Sequence, residues 1–289
     1  MCIQHVAFAG EDKLHSSEKS PSTHNNLVDT NKWEIGLAIG AGVRTNPLSD
    51  GDNIPLVLLP DIAWYGEKAY FDNGELGYQW LSNASYALES FVEINRERAF
   101  FSFWHPENIF LTQSFIQTSL PTGPLNESDD MRLTNSDFLS IDNIATRRWA
   151  VDAGFRFHLY TKTGELNLSV LHDISSTYDS FHAEANYRYS LKFNSWQFAF
   201  NARLNWKSDG LIDYYYGISS RDANSLDLMY SGESTLNPSI SVLVSKSINE
   251  NWQGLAMVGT EWLGSGITNS PIVSENTINT FFIGAAYRF

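Results

Sequence analysis

The residues best suited to chemistry in this chain are a histidine and the carboxylate that follows it. His172 directly precedes Asp173, and a histidine beside a carboxylate is the pair that hydrolases use to move protons. Neighbouring side chains in a strand point to opposite faces, so these two groups cannot form a dyad if the segment is a strand. The pair alone therefore does not predict an enzyme.

Two further histidines share a parity with acidic residues. His158 and His182 fall on the same face as Asp152 and Glu184 in the predicted strands. The group could form a hydrolase site or a network of satisfied polar side chains, and we favour the network. The sequence contains no Walker motif, dinucleotide-binding motif or zinc-type spacing. We predict no enzyme activity and no catalytic, cofactor-binding or metal-binding residues.

The elements that position these residues are long strands with period-two alternation. From Ser195 to Trp206 every even position is apolar, with Trp at both ends of that face. Trp33–Arg44, Trp149–Leu159 and Phe181–Leu191 also place apolar residues on one side and polar or small residues on the other. Strands that cross a bilayer at a tilt need about 9–11 residues, whereas strands of soluble sandwiches are nearer to about 5–6. The length favours a membrane barrel.

The last strand carries the same pattern up to the final residue. Phe281, Ile283, Tyr287 and Phe289 share one face. In outer-membrane barrels the first and last strands pair, so that no edge remains. We interpret these four residues as a C-terminal signature for barrel assembly. A soluble edge strand is the alternative for this segment taken alone.

Short and long connections alternate through the C-terminal half. The short links are Thr161–Gly164, Phe193-Asn194 and Asn249–Asn251, and the long polar stretches cover roughly 120–147, 207–236 and 264–276. Outer-membrane barrels have short periplasmic turns and longer outer loops, whereas a sandwich has no reason to obey this rule. The pattern places Phe289 on the periplasmic side.

The predicted fold is all-β: a transmembrane antiparallel up-and-down β-barrel of about 12 strands, within a range of about 10–14. About eight strands are expected from Asn108 onward and four to six before it. The barrel is assigned to residues 33–289, after a disordered periplasmic leader at 10–32. Residues 1–9 end in Ala7-Phe8-Ala9, which is either the remnant of a signal peptide or a chance tripeptide.

Charged residues of both signs share the inward parity of the predicted strands. The polar network that we expect in the lumen contains Asp152, Arg156, Glu184, Arg188, Arg203 and Arg288. An unpaired buried ion costs several kcal/mol, so these charges must pair. A lumen crossed by ion pairs is partly plugged, which argues against an open pore.

Composition limits the partners. The net charge of −14 argues against nucleic acid, because phosphate binding needs a basic surface. Many of the acidic residues fall in a predicted outer loop. We interpret them as solvated surface residues and not as a cation-binding site. Those residues are Glu127, Asp129, Asp130, Asp137 and Asp142. The single cysteine, Cys2, excludes an internal disulfide, and no apolar run approaches the length of a helical membrane span.

Several short motifs occur in a characteristic order. They include Gly40-Ala41-Gly42-Val43-Arg44, Leu58-Leu59-Pro60, Trp64-Tyr65-Gly66, Asp213-Tyr214-Tyr215-Tyr216-Gly217, Leu236-Asn237-Pro238-Ser239 and Ala286-Tyr287-Arg288-Phe289. Together they resemble the MipA/OmpV family of MltA-interacting outer-membrane proteins, from about Trp33 to Phe289. The segment Ala99–Arg148 departs most from that family.

The resemblance implies a protein of the Gram-negative outer membrane, bound to the lipid bilayer and without cofactors. The best-known member of the family is a scaffold that joins a lytic transglycosylase to a bifunctional penicillin-binding protein in peptidoglycan synthesis, and other members are described as porin-like. Two functional hypotheses follow, a non-enzymatic envelope scaffold and a small-solute channel. An outer-membrane hydrolase is a distant third.

Overall fold

The structure is a computed structural model that describes residues 31–102, 104–110, 139–141, 144–222 and 228–289. Twelve antiparallel strands form a closed barrel in which each strand pairs with the next and β1 pairs with β12. The strands are β1 Lys32–Arg44, β2 Ile54–Tyr65, β3 Ala69–Asp72, β4 Glu75–Ser82, β5 Tyr86–Ile94, β6 Val151–Tyr160, β7 Glu165–Asp173, β8 Phe181–Phe193, β9 Trp196–Lys207, β10 Thr235–Ser247, β11 Trp252–Trp262 and β12 Thr277–Arg288. The predicted up-and-down barrel of 12 strands is confirmed.

The distribution of strands along the chain differs from the prediction. Among the described residues, five strands precede Asn108 and seven follow it, one fewer than the about eight expected after that residue. The register between β5 and β6 runs without a shift from Tyr86 opposite Leu159 to Ile94 opposite Val151. These two strands are therefore direct neighbours in the barrel.

Short helices occur only between strands in the described part of the chain. They are a 3-10 helix, Arg96–Phe101, and three α-helices: α1 Pro106–Ile109, α2 Asp209–Tyr216 and α3 Ser265–Thr268. None of the helices that the structure describes is long and apolar enough to span a bilayer. The predicted leader and signal remnant lie outside the described residues, except that β1 already begins at Lys32.

The apolar parity of the strands faces outward. Trp33 is 60 % exposed and Leu204 is 48 % exposed, whereas Asn201, on the opposite face of β9, is 7 % exposed. A continuous apolar outer surface of this kind is stable against lipid and not against water. The alternation read from the sequence therefore separates a lipid-facing surface from an enclosed lumen.

The seam between β1 and β12 is closed by an unusually near approach of two backbones. Gly40 lies opposite Gly284, and the ring of the fully buried Phe282 packs against both. A Cβ at Gly40 would collide with the carbonyl oxygen of Ile283 and lie 2.6 Å from the Cα of Gly284. The glycine is therefore required by the space at the seam.

We expect Gly40→Ala to lower the free energy of unfolding by about 1–3 kcal/mol, because the added methyl group overpacks the seam. The measurement is the temperature at which the folded barrel loses its fast mobility in a detergent gel. Gly36→Ala is the matched control on the same strand face, since its nearest contacts would lie at 3.3 Å. Equal transition temperatures for the two variants would contradict the close-approach argument.

The ladder between β2 and β3 is short, because β3 has only four residues. β2 pairs with β3 only at Ala63–Tyr65, and the side chain of Asn73, in the hairpin turn, accepts a hydrogen bond from the backbone N–H of Ile62 at 2.9 Å. Pro60 lies two residues before Ile62, so its nitrogen points to the same side of β2, beyond the last β2–β3 pair. Proline has no N–H group, so no backbone donor is left unpaired there. α1 packs against β2 above this hairpin, with Pro106 over Gly74.

The chain after β5 folds into the barrel. We call Asn95–Phe110, apart from residue 103, the inserted segment. It contacts several parts of the wall: the guanidinium group of Arg44, on β1, lies over the ring of Phe100 at 4.8 Å, and Arg96 lies 3.6 Å from Glu184, on β8. The inserted segment therefore crosses the lumen.

A cluster of apolar loop residues closes the end of the barrel that carries the long connections. We call it the mouth cap. Its members are each at most 2 % exposed and are Leu48, Leu211, Ile212, Tyr215, Tyr216, Ile267 and Ile272. The cap continues into apolar residues inside the barrel as one cluster. Arg147 fixes two of the long loops to each other, since its side chain lies 2.8 Å from Asp222 and donates to the carbonyl oxygen of Gly217 at 2.8 Å.

Candidate functional site

The lumen is the candidate site, and Asp152 is the centre of its polar network near the mouth. Asp152 is fully buried. Its carboxylate accepts hydrogen bonds from the amide of Asn95 at 2.6 Å and from the hydroxyl of Tyr178 at 2.7 Å, and Nε2 of His182 lies 2.9 Å away. Burial and the nearby Asp152 carboxylate raise the pKa of Tyr178, so its hydroxyl remains a donor. Asp152 thus joins the inserted segment, through Asn95, to the loop after β7 and to β8.

Glu97 anchors the inserted segment to the opposite wall. Its carboxylate lies 2.6 Å from Nζ of Lys207 and accepts a hydrogen bond from the hydroxyl of Tyr216 at 2.6 Å. Burial raises the pKa of Glu97, but the Lys207 ammonium group and the hydrogen bonds outweigh it, and the net pKa is lowered. Glu97 is therefore held as a carboxylate, and it ties the mouth cap to β9.

Arg96 lies inside the lumen and contacts three carboxylates. Its guanidinium group lies 3.3 Å from Glu93, 3.8 Å from Glu107 and 3.6 Å from Glu184. The Glu93 carboxylate and then the other two raise the pKa of Arg96 against the opposing effect of burial. Arg203 approaches the same Glu184 carboxylate at 3.4 Å from β9. Two arginines and three carboxylates thus occupy the middle of the barrel.

A second charged group lies on the wall formed by β4 to β7. Arg156 contacts Glu75 at 2.7 Å and Glu89 at 2.8 Å, and its guanidinium group lies over the ring of Phe91 at 3.8 Å. The hydroxyl of Tyr70 donates to Glu75 at 2.6 Å. The two carboxylates therefore share one arginine, and Glu89 also lies 3.1 Å from Nε2 of His158.

The remaining residues of the predicted network lie towards the short-turn end. Arg188 donates from Nε to the side-chain oxygen of Asn201 at 3.0 Å. Arg288 is half-exposed at the rim, where it lies 3.6 Å from Glu34 and 3.8 Å from Asp61. All six residues expected in the lumen face inward, although Arg288 is at the edge of the enclosed space.

The side chains of His172 and Asp173 lie on opposite faces of β7 and do not contact each other as a dyad. Asp173 faces inward and its carboxylate accepts hydrogen bonds from the backbone N–H groups of Ser175, Thr177 and neighbouring residues, so it closes the loop after β7. His172 faces outward with its ring edge-on to Phe181, 4.3 Å between ring centroids. Within the described ranges no group of three or more metal-ligating side chains converges.

The C-terminal aromatic residues lie on the outer face of β12. Tyr287 packs against Trp252 at 5.1 Å and against Phe289 at 4.8 Å between ring centroids. Phe281 is 41 % exposed, and Ile283 lies opposite Ala41 at the seam. The N–H of Phe289 donates to the carbonyl oxygen of Ile35, so the last residue is paired with β1. Their role in barrel assembly is a proposal.

Sequence reasoning missed several charges of the lumen. Glu89 and Glu93 alternate with outward residues on β5, so the parity that identified Asp152 could also have found them. Lys207 is the next inward residue after the recognised stretch of β9. Glu97 and Arg96 carry no such signal, because they do not lie in a strand. The acidic residues expected in the outer loop, from Glu127 to Asp142, lie outside the described residues.

His105 holds the inserted segment in its neutral form. It is 1 % exposed, its Nδ1 accepts a hydrogen bond from the N–H of Glu107 at 3.1 Å, and its Nε2 therefore donates to the carbonyl oxygen of Asn95 at 2.9 Å. The ring stacks on Trp149 with 5.0 Å between centroids. Burial lowers the pKa of His105 to about 4. A proton on Nδ1 would break one of the two bonds.

We expect the stability of the inserted segment to fall as the pH falls from about 6.5 to about 4. Over this interval the unfolded state takes up a proton on His105 and the folded state does not, which costs about 3 kcal/mol. Hydrogen exchange at the imidazole C2 position, read by mass spectrometry, measures this pKa residue by residue. A pKa of about 6.5 for His105 in the folded protein, the same as in the denatured chain, would contradict the claim that the ring is buried and neutral.

These features define a class of protein: an up-and-down transmembrane β-barrel whose lumen is filled by its own loops and ion pairs. The chain belongs to the MipA family, since the model of that family, described as MltA-interacting protein MipA, matches residues 35–289. The resemblance seen in the sequence motifs is thereby confirmed.

Individual relatives agree with this assignment. The chain is 23% identical over 152 residues to outer membrane protein Omp26La of Vibrio anguillarum, covering 52% of this chain and 58% of that protein. It is also 23% identical over 157 residues to YiaT of Escherichia coli K12, described as an outer membrane protein, covering 54% of this chain and 64% of the relative. The alignments thus span about three fifths of these relatives. The protein is an outer membrane β-barrel, as predicted.

Among solved structures, an outer membrane channel from Pseudomonas putida F1 aligns with a TM-score of 0.40 and 11% identity, covering 94% of this chain and 100% of that one. At that score the likeness carries no functional inference.

Proposed function

We propose that this protein is a non-enzymatic scaffold of the outer membrane that binds murein-processing enzymes through its periplasmic end. The observation that supports it most is the filling of the lumen. The mouth cap, the inserted segment and the ion pairs of Arg96 and Arg156 succeed one another along the barrel axis. A protein whose interior is occupied by its own side chains offers its ends and rim to partners.

Breaking any of the buried ion pairs that fill the lumen costs free energy. Truncating one member of a buried hydrogen-bonded ion pair leaves the other charge unpaired, at a cost of about 3–5 kcal/mol. Lys207 with Glu97 and Arg156 with Glu75 are such pairs, and their side chains are at most 12 % exposed. Spontaneous opening of the lumen would break several of them together, so a resting conductance is not expected.

The description of the family supports this class of partner. The family is described as MltA-interacting protein, and its matched region is the whole barrel described here. On this proposal the short turns, together with the leader, contact a lytic transglycosylase, and through it or beside it a penicillin-binding protein. Exposed charges such as Lys162 and Glu250 lie in two of these turns and are available to an incoming protein.

The test is site-specific photo-crosslinking in intact Gram-negative cells that express the full chain. A photoreactive residue replaces Glu250 at the short-turn end, and the matched control replaces Arg221, an exposed residue of the connection at the opposite end. We expect mass spectrometry to find a lytic transglycosylase attached at position 250 and not at position 221. Repeated failure to capture any murein enzyme from short-turn positions would remove the support for the scaffold.

A small-solute channel is the second candidate, because the lumen retains a cavity of about 100 Å³ with polar and apolar walls. Liposome swelling with sugars and amino acids of graded size measures this activity. Swelling rates that fall with solute size would favour the channel, and rates equal to those of protein-free liposomes would favour the scaffold.

A further inference from the structure

The cavity in the lumen differs from the charged network in the chemistry of its walls. It is bounded by β1, β2 and β9 to β12, with the inserted segment above it. Seven apolar residues of its wall point inward, away from lipid, and are each at most 6 % exposed; they are Leu56, Leu59, Leu243, Leu255, Met257, Ile278 and Phe282. Inward apolar residues are unusual in a barrel whose outside already faces lipid. They need an explanation that the scaffold role does not supply.

The register of the strands arranges this wall in layers. Nearest the mouth, Arg203 lies opposite Ser239, which lies opposite Glu261. One inward step deeper, Asn201 lies opposite Ser241, and Thr280 lies opposite Arg44. The next step is apolar: Ala199, Leu243, Met257 and Phe282 follow one another around the wall. The cavity is therefore polar towards the mouth and apolar towards its deep end.

Arg44 lies at the polar end of the cavity, and its guanidinium N–H groups are available as hydrogen-bond donors. Its side chain is 15 % exposed, its guanidinium group lies over the ring of Phe100, and its nearest carboxylate in the described chain is Glu107 at 3.8 Å. That distance exceeds a hydrogen bond, and a guanidinium group has five N–H donors arranged to fit a carboxylate. Glu107 is shared by Arg44 and Arg96, at 3.8 Å from each, and Glu261 lies 3.9 Å from Lys207. No ion pair among the described residues brings a carboxylate within hydrogen-bonding distance of Arg44, so its N–H groups can donate to the carboxylate of a ligand.

The volume limits the size of a ligand. A water molecule needs about 10–15 Å³ of this kind of cavity volume and takes up about 30 Å³ of liquid, so the cavity of about 100 Å³ holds the equivalent of about 7–10 waters. This corresponds to a carboxylate of about eight carbons in a single chain. A phospholipid with two long acyl chains does not fit.

We propose that the lumen holds a binding site for a small amphipathic carboxylate. Its head lies against Arg44 near the hydroxyls of Ser241 and Thr280, and its hydrocarbon tail lies among Leu243, Met257 and Phe282. The site is independent of the scaffold role, because it faces the interior and not the rim. The occupant is a free medium-chain acid, since an esterified acyl chain of a membrane lipid carries no carboxylate for Arg44.

The test uses the full chain in lipid nanodiscs, with empty nanodiscs as the baseline for partitioning into lipid. Calorimetric titrations compare octanoate, octanol and octylammonium at equal chain length. We expect saturable binding of one octanoate, with octanol at least about tenfold weaker because the charge-assisted bonds to Arg44 are missing, and no saturable binding of octylammonium. Octanoate uptake indistinguishable from empty nanodiscs would overturn the proposal, and so would equal binding of all three probes.

Variants locate the site. Met257→Trp fills the apolar end, and Val258→Trp is the matched control, since Val258 is the next residue of β11 and faces lipid with 54 % exposure. We expect loss of octanoate binding only in Met257→Trp, and a roughly tenfold weakening in Arg44→Gln that Arg44→Lys partly restores. Gel mobility of unheated samples verifies that each barrel is folded, and the comparison of the three probes on the unaltered chain decides the question if a variant does not fold. Phospholipid, instead of octanoate, found in the cavity by mass spectrometry of the purified protein would overturn the assignment to a free acid.

Discussion

Lys207→Met is expected to release the inserted segment from the barrel while the wall remains folded. The substitution leaves the Glu97 carboxylate buried without the ammonium group that lies 2.6 Å from it, at a cost of about 3–5 kcal/mol. The bare carboxylate regains solvation only when the segment opens, so local opening becomes more frequent than in the unaltered protein. Trypsin should then cut after Arg96 or Arg98, and sequencing should find fragments that begin at Glu97 or Ala99.

Two controls separate this effect from a general loss of stability. Lys162→Met removes the same charge from an exposed turn and should change stability by no more than about 0.5 kcal/mol. The double variant Glu97→Gln with Lys207→Met removes both charges and should regain most of the protection. If Lys207→Met resists cleavage after Arg96 and Arg98 as well as the unaltered protein does, the lumen is not closed by this ion pair.

Arg156→Met should destabilise the barrel wall itself. Glu75 would lose the guanidinium group that lies 2.7 Å from it, Glu89 would keep only its contact with His158 at 3.1 Å among the ion pairs described, and the arginine side chain is only 12 % exposed. We expect a loss of about 3–5 kcal/mol in the free energy of unfolding, seen as a lower temperature for the heat-dependent gel shift.

The matched control is Arg288→Met, another inward arginine that contacts two carboxylates. Its side chain is 49 % exposed and its contacts are 3.6 and 3.8 Å long, so its removal should cost less than about 1 kcal/mol. The triple variant Glu75→Gln, Glu89→Gln and Arg156→Met should recover much of the loss, because no bare charge remains. Equal effects of the two arginine substitutions would show that burial does not govern these pairs.

The lipid-facing surface and the strands could be predicted because parity is a local property. In β9 the apolar positions from Trp196 to Trp206 all face outward, and the polar positions, such as Asn201 and Arg203, face the lumen. The same rule located the charged residues of β6 and β8. The short strand β3 escaped it, since four residues are too few to display a period.

The contents of the lumen could be predicted only in part. The bond between Asn95 and Asp152 joins residues 57 positions apart, and Asn95 lies in no periodic segment. The apolar cavity wall was hidden for a different reason: Val242, Leu243 and Val244 are all apolar, so alternation cannot tell which faces the interior. Only the register places Leu243 inside, opposite Met257.

The filling of the lumen also explains how the barrel can be closed although many polar residues face inward. Buried charges are stable only when they are paired, and the inserted segment supplies partners that the wall alone lacks. Glu97 pairs with Lys207, and Arg96 pairs with Glu93 and Glu184. The segment is therefore part of the folded barrel and its removal would expose charges on both sides of the lumen.

The most direct test of the account is the conductance of the purified full chain in a planar lipid bilayer. With the mouth cap, the inserted segment and the lumenal ion pairs in place, we expect no steady channel for the unaltered protein and measurable openings for Lys207→Met. Well-defined, long-lived channels in the unaltered protein, unchanged by that substitution, would contradict it.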